Sequence, residues 1–242
     1  MLERPRQLIS ELEGGTEDTS LDVPLTQIAW QRIRDDIICG KLRPNARLRI
    51  GKLRDLYGIG ASPLREALSR LVPDGFVNSL DRRGFFVAPI SLRQLRELTD
   101  VRKLIEKDAA RLSLSSGDDE WEGRLVAALH RMSKYNSRPT GKMSQAMKEW
   151  ETLNEAFHDA LMSGSSSILL LNFRRTAYFY AKRYMRVCLS ATAIRDVQKG
   201  HKALADAAIA RDVTKLQTLI EAQLERTYQK IAASGKLSSR SV

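Results

Sequence analysis

Hydrophobic positions recur at helical spacing along most of the chain, while two short stretches near residue 80 alternate instead. In the first third, the apolar pattern predicts three amphipathic helices, at residues 24–39, 50–57 and 62–72. Residues 76–80 and 85–87 alternate like strands, with a turn at 81–84 between them. Helix, helix, short turn, helix and a two-stranded ribbon together predict a winged helix-turn-helix.

Beyond residue 90 the pattern is helical throughout. Ser91, Ser166 or Ser167, and Asp212 are the expected N-caps of three of these helices. The predicted helices span residues 91–116, 118–135, 142–162, 166–189, 193–211 and 212–233. Six helices with short links predict an antiparallel bundle, so the fold class is mainly α, a winged helix-turn-helix followed by a six-helix bundle.

The domain boundaries follow from these patterns. Residues 1–22 are weakly patterned and predict a disordered lead-in, and residues 234–242 predict a flexible tail. Residues 23–90 form the predicted DNA-binding domain, and residues 91–233 form the helical domain.

The helix at residues 62–72 carries the candidate chemistry of the first domain. Ser62 is expected as its N-cap and Pro63 as its first residue, and Arg65 lies on its outward face. A helix start with free N–H donors and an arginine suits phosphates and base edges, although an ordinary surface helix has the same pattern. Arg65, with Ser62 beside it, is the candidate for base readout. The other predicted DNA contacts are Arg49, Lys52, Pro63, Arg70, Arg82, Arg83 and Gly84.

Charge and cysteine content agree with a DNA partner in a reducing compartment. The formal net charge is +11, and residues 24–90 hold 12 Lys and Arg against 6 Asp and Glu. Basic charge alone does not separate nucleic acid from an anionic membrane surface. Cys39 and Cys188, expected as buried thiols, form no disulfide framework, and no apolar run reaches membrane-spanning length. We therefore expect a soluble cytoplasmic protein without a membrane partner.

Residues 25–90 resemble the winged helix-turn-helix of the GntR family of bacterial transcriptional regulators. The matching positions are residues 28–38, 40–44, Leu48, Leu53, the PLREAL segment at 63–68, Leu71, Gly75 and Gly84. The family commonly has an arginine four residues before Arg65, where this chain has Ala61. The resemblance implies binding to double-stranded operator DNA, with one expected contact missing at Ala61.

The second half resembles the FCD ligand-binding domain of the FadR subfamily, in its shorter VanR-like group. The matching positions are residues 92–106, Phe157, His158, His201 and residues 208–212. This resemblance implies a homodimer on a palindromic operator and a small carboxylate effector inside the bundle. It also implies that Arg102 binds the carboxylate of the effector. The fourth predicted helix is rich in basic residues, and its Arg183 or Arg186 is the second choice for this role. The aromatic residues 178–184 either line that pocket or belong to the core.

In many FCD domains an Asp and three His hold a divalent cation. Carried over by position, those ligands fall on Asn154, His158, His201 and Gln223. Amide oxygens are weak, neutral ligands for zinc or nickel, and no anionic ligand remains. Three alternatives stay open: a structural metal, a weak or effector-assisted metal, and no metal, with His158 and His201 contacting the effector directly.

The resemblance and the residues together predict a transcriptional regulator of a metabolic operon, most often a repressor in this family. A metal-dependent hydrolase is the alternative from another class, but HExxH and di-metal carboxylate patterns are absent from the sequence. An architectural DNA-binding protein without effector control is the third hypothesis. Operator binding that a small molecule reverses would separate them.

Overall fold

The computed structural model describes residues 23–136, 143–197 and 199–237. The predictions for the lead-in at residues 1–22 and for the last part of the tail lie outside these residues. In chain order the elements are α1 (Leu25–Ile38), β1 (Arg47–Leu48), α2 (Ile50–Tyr57), α3 (Ala61–Leu71), β2 (Val77–Leu80), β3 (Gly84–Val87), α4 (Leu92–Ser116), α5 (Asp119–Asn136), α6 (Met143–Met162), α7 (Ile168–Cys188), α8 (Ala191–Val197), α9 (His201–Ile209) and α10 (Val213–Ala232). The mainly helical fold class is confirmed.

The first three helices and the sheet form the DNA-binding head. Ile33 and Ile37 of α1 and Leu64 and Leu68 of α3 are fully buried against one another because each pair recurs four residues apart on one helix face. The strand order is β1-β3-β2, with both pairings antiparallel. The short strand β1 extends the wing, as the extended link before α2 indicated.

The N-cap and the first residue of helix α3 each lie two residues earlier than the sequence predicted. Gly60 is the N-cap, without a side-chain hydrogen bond, and its carbonyl accepts from the N–H of Leu64. Ser62 is therefore inside the first turn, and the prediction that it caps the helix is wrong. Pro63 is tolerated there because the first N–H groups of a helix have no intrahelical partner.

The bundle is built on α4, which packs against α10 along one side and against α7 along the other. One apolar core joins α5, α6, α9 and α10 around residues such as Trp121, Phe157 and Leu216. The N-caps Ser91, Ser167 and Asp212 each accept a hydrogen bond from a first-turn N–H, as predicted.

The predicted fifth helix at residues 193–211 is divided into α8 and α9. Gly200 precedes α9 with a φ of +111°, a conformation that a continuous α-helix cannot contain. The described part of the bundle therefore holds seven helices, and the predicted count of six is wrong. Cys188 is buried as expected, whereas Cys39 is exposed at the end of α1. Among the described residues, none of the helices is both long and apolar enough to span a bilayer.

Helix α7 joins the head to the bundle. The ring of Tyr180 stacks on Phe76 with centroids 4.8 Å apart, and its hydroxyl donates to the carbonyl of Asp74. The guanidinium of Arg34 lies 5.1 Å from the ring of Phe179. These contacts fix the head against one face of α7.

Candidate functional site

The surface of α3 presents one cation without a partner. Arg65 is exposed, and among the described residues its guanidinium makes no ion pair. Arg70, one turn later, lies 2.5 Å from Glu66, and the other carboxylate oxygen of Glu66 accepts from Thr26. The first turn of α3 contains no acidic residue. Arg65 is thus the side chain on this helix that is free to contact DNA without first breaking an ion pair.

The wing tip has the backbone that a tight turn requires. Gly84 has a φ of +85° and Arg82 a φ of +58°, so the turn uses two left-handed residues. Arg82 and Arg83 are both exposed at the tip. Of the remaining predicted DNA contacts, Arg49, Lys52 and Ser62 are exposed and Pro63 is half-buried. The surface of the head therefore offers cations from α2, α3 and the wing.

Inside the bundle, the structure brings together the side chains that the FCD resemblance singled out. The Oδ1 of Asn154 on α6 lies 2.8 Å from the Nε2 of His201 on α9. The rings of His158 and His201 have centroids 5.6 Å apart, and Phe157 packs edge-on against both. Gln223 is buried on α10, which packs against α9. Residues 47 apart in sequence thus form one buried polar group.

Burial keeps His201 neutral. It lowers the pKa of His201 to about 4, because the charged imidazolium loses its water. Burial likewise raises the pKa of Tyr178, and the nearby side chain of Asn154 opposes that effect. At neutral pH His201 and the amide of Asn154 therefore offer hydrogen-bond donors and acceptors rather than charge.

The residues present do not fit the family's usual divalent cation. Asn154 and Gln223 supply amides where a carboxylate and an imidazole would be needed, so the set has two imidazoles and no anion. Within the described ranges, no group of three or more His, Cys, Asp or Glu side chains is placed to hold a metal ion. A buried dication without an anionic ligand would lack compensating charge.

The arginines predicted to bind the carboxylate of an effector lie in different parts of the structure. Arg102 is buried, and its Cζ lies 6.0 Å from the centroid of Tyr178. Arg183 donates instead to the carbonyl of Ala88, at the junction with the head, and burial lowers its pKa to about 10. The structure therefore places Arg102 beside the polar group and Arg183 at the junction.

Arg186, the other second choice, is also committed elsewhere, since its guanidinium binds both carboxylate oxygens of Glu151, at 2.6 and 2.7 Å.

Sequence reasoning missed the partner of Arg102. Glu106, one turn later on α4, is buried and accepts from Arg102 Nε at 2.8 Å. The spacing of four residues was a visible signal for this pair. The sequence analysis also did not identify Phe179 and Tyr180 as contacts to the head. A run of aromatic residues does not reveal which element each ring faces.

Comparison with known proteins agrees with the geometry. Residues 25–87 match the family model for bacterial regulatory proteins of the gntR family, and residues 97–226 match the FCD domain. The HTH-type transcriptional regulator BphR of Paraburkholderia xenovorans strain LB400 is 35% identical over 214 residues, covering 88% of this chain and 87% of the relative. The HTH-type transcriptional repressor GlaR of Escherichia coli K12 is 32% identical over 211 residues, covering 85% and 92%.

Solved structures show the same fold. A GntR transcriptional regulator from Rhodococcus sp. RHA1 has a TM-score of 0.68 at 23% identity, over 86% of this chain and 97% of that one. McbR/YncC of E. coli has a TM-score of 0.64 at 22% identity, over 88% and 97%. The domains and relatives are those of transcriptional regulators, so the hydrolase alternative is wrong. The chain belongs to the GntR family of bacterial regulatory proteins and carries an FCD domain behind its DNA-binding head.

Proposed function

We propose that this protein represses a metabolic operon by binding a palindromic operator as a homodimer, and that a small carboxylate in the helical domain releases it. The single observation that carries the proposal is Arg65, exposed and without an ion-pair partner in the described chain, on the third helix of a winged helix-turn-helix. Two such helices in a dimer would enter major grooves about one turn of DNA apart. GlaR, a relative of similar length, is named a repressor.

The buried polar group supports effector control. Asn154 and His201 are neutral hydrogen-bonding side chains, and Arg102 nearby is a cation enclosed by the bundle. A small acid with further polar atoms matches this combination, because its carboxylate pairs with a guanidinium and its other oxygens meet neutral donors and acceptors. No metal is required for this mode of binding.

Exposed apolar side chains on α4 and α7 support the homodimer. Leu104 is 74% exposed on α4, and Phe173 is 63% exposed on α7, which packs beside α4. Large apolar side chains left exposed are candidates for burial against a partner. Leu104→Asp together with Phe173→Asp should give a monomer in analytical ultracentrifugation. Leu56→Asp, at an exposed position of the head, is the control that should leave the dimer intact.

Selection from a random DNA library, followed by fluorescence anisotropy on the selected duplex, tests the DNA-binding part. Arg65→Ala should cost about 1–3 kcal/mol of specific binding and relax discrimination. Arg83→Ala should weaken binding to all sequences and reduce the salt dependence by about one phosphate contact. Arg70→Ala is the matched control on the same helix and should cost less, because Arg70 already pairs with Glu66.

The effector part is tested on the same duplex with mono- and dicarboxylates. Release by one of them, with no effect of its amide, is the expected result.

Discrimination that survives Arg65→Ala would contradict the assigned recognition helix. Operator binding that no carboxylate changes would favour the architectural alternative.

A further inference from the structure

We propose that Glu106 is an internal substitute for the effector, occupying Arg102 until the effector's carboxylate takes its place. The inference rests on the proposed function and names the side chain with which an effector must compete. It makes Glu106 a determinant of which acids bind, because only a ligand that replaces a carboxylate on Arg102 can enter.

The contact between Arg102 and Glu106 is incomplete. Nε and Nη2 of Arg102 lie 2.8 and 2.7 Å from the same oxygen, Oε1 of Glu106. Across the described residues, Nη1 of Arg102 and Oε2 of Glu106 have no hydrogen-bonding partner. Both side chains are more than nine-tenths buried. Both unused atoms keep some contact with solvent, because neither is among the fully buried side-chain atoms that lack a partner in the described chain. A pair held through one carboxylate oxygen binds less strongly than a two-oxygen pair could.

Helix α4 also carries an arginine whose ion pairs use both oxygens of each carboxylate. Arg96 binds both oxygens of Asp100, at 3.2 and 2.7 Å, and both oxygens of Glu225, each at 3.0 Å. That pair is at the surface, where satisfying every donor matters least. The incomplete pair is the more buried of the two, and solvent still reaches the donor and the acceptor that it leaves unused. An incoming carboxylate that engages Arg102 with two oxygens would gain what Glu106 leaves unmade.

The position of Arg102 connects it to the buried polar group. Its guanidinium lies over the ring of Tyr178, the side chain of Asn154 is close enough to Tyr178 to lower its pKa, and Asn154 contacts His201. A carboxylate on Arg102 would therefore leave the rest of a small acid near neutral polar side chains. The replacement exchanges one carboxylate for another, so the buried guanidinium keeps a counter-charge throughout. The ligand class is a small organic acid with a hydroxyl, carbonyl or second acidic group.

Glu106→Ala tests the proposal, since the atoms removed beyond Cβ have the composition of acetate. The full-length variant is melted in up to 100 mM sodium acetate, with sodium chloride at equal ionic strength and with acetamide as the neutral isostere. We expect acetate alone to raise its melting temperature by about 3 °C or more. The wild type should not respond, because Glu106 already occupies the site. Asp100→Ala, which opens the exposed pair on the same helix, is the matched control and should not respond either.

Glu106→Gln keeps the side-chain volume and serves if the alanine variant does not fold. Its Arg102 lacks a counter-charge, so acetate and not acetamide should again raise the melting temperature. Responses of both variants no larger than that of the wild type would overturn the inference. The assay contains no DNA, so its failure beside intact operator binding refutes only the inference. Conversely, an acetate response in a protein that selects no operator refutes only the proposed function.

Discussion

Replacing Gly75 with alanine tests how tightly the head is held by α7. Gly75 has a φ of +70°, and a Cβ there would lie 2.8 Å from the hydroxyl oxygen of Tyr180. Gly58 has nearly the same backbone, with a φ of +67°, but a Cβ there would meet nothing within 4 Å. The two glycines therefore differ in their surroundings and not in their conformation.

The expected magnitude has two parts. An alanine in the left-handed conformation costs about 1–2 kcal/mol at either position. At Gly75 the new methyl also displaces the Tyr180 hydroxyl, which loses its hydrogen bond to the carbonyl of Asp74, about 1 kcal/mol. Disturbing the stack of Tyr180 on Phe76 adds about 0.5–1 kcal/mol. We expect Gly75→Ala to cost about 2.5–4 kcal/mol and Gly58→Ala about 1–2 kcal/mol.

Urea denaturation, followed by the fluorescence of Trp30 and the other tryptophans, measures both costs. Trp30 is a suitable reporter because its Nε1 donates to the side chain of Asp74 at 2.9 Å. The decisive comparison adds Tyr180→Phe. Without the hydroxyl, the remaining ring atoms lie 3.6 Å from the Cβ, an ordinary contact, so Gly75→Ala should then cost only the conformational part. Equal costs for the two glycine variants, or an unchanged cost in the Tyr180→Phe background, would refute the close contact.

Two further predictions concern pH. Because burial lowers the pKa of His201 to about 4, the unfolded chain binds more protons between pH 4 and 6.5, and stability is lost as pH falls through that window. From pH 7 to pH 5 the free energy of unfolding of the wild type should fall by about 2 kcal/mol more than that of His201→Gln, as measured by urea titrations. Hydrogen bonds from Arg96 and then Lys103 lower the pKa of Glu225 to about 2, so its contribution is present above pH 4.5 and is lost as pH falls towards 2. Glu225→Gln should therefore lower the free energy of unfolding at pH 6 by less than about 1 kcal/mol relative to the wild type. This difference should vanish near pH 2.

The head could be predicted from the sequence because its signals are local. The apolar spacing of Ile33 and Ile37, and the alternation before and after the wing turn, each fall within one element. The start of α3 could not be predicted in the same way. Gly60 and Ser62 are both acceptable caps, and the choice depends on which carbonyl the first helical N–H reaches. In the bundle, Gly200 divides one predicted helix because its backbone is left-handed, which composition alone does not reveal.

The candidate pocket was predictable only through the family resemblance. Asn154 and His201 come from helices far apart in sequence, and no spacing rule joins them. The sequence also could not predict which residues of α7 contact the bundle and which contact the head. Consecutive helical residues point about 100° apart, so Tyr178 faces the bundle while Phe179 and Tyr180 face the head. Which direction is inward depends on the neighbouring domain.

The contacts along α7 also limit how this regulator can be recombined with others. A chimera that joins residues 91–237 to a foreign head would place Tyr180 against whatever replaces Gly75. It would also leave the ring of Phe179 without the guanidinium of Arg34. Biosensor designs that exchange heads therefore need to transplant the matching surface of α7 together with the first domain. The reason is that the head contacts residues of α7, so the structural boundary between head and bundle lies along this helix and not at the link containing Pro89.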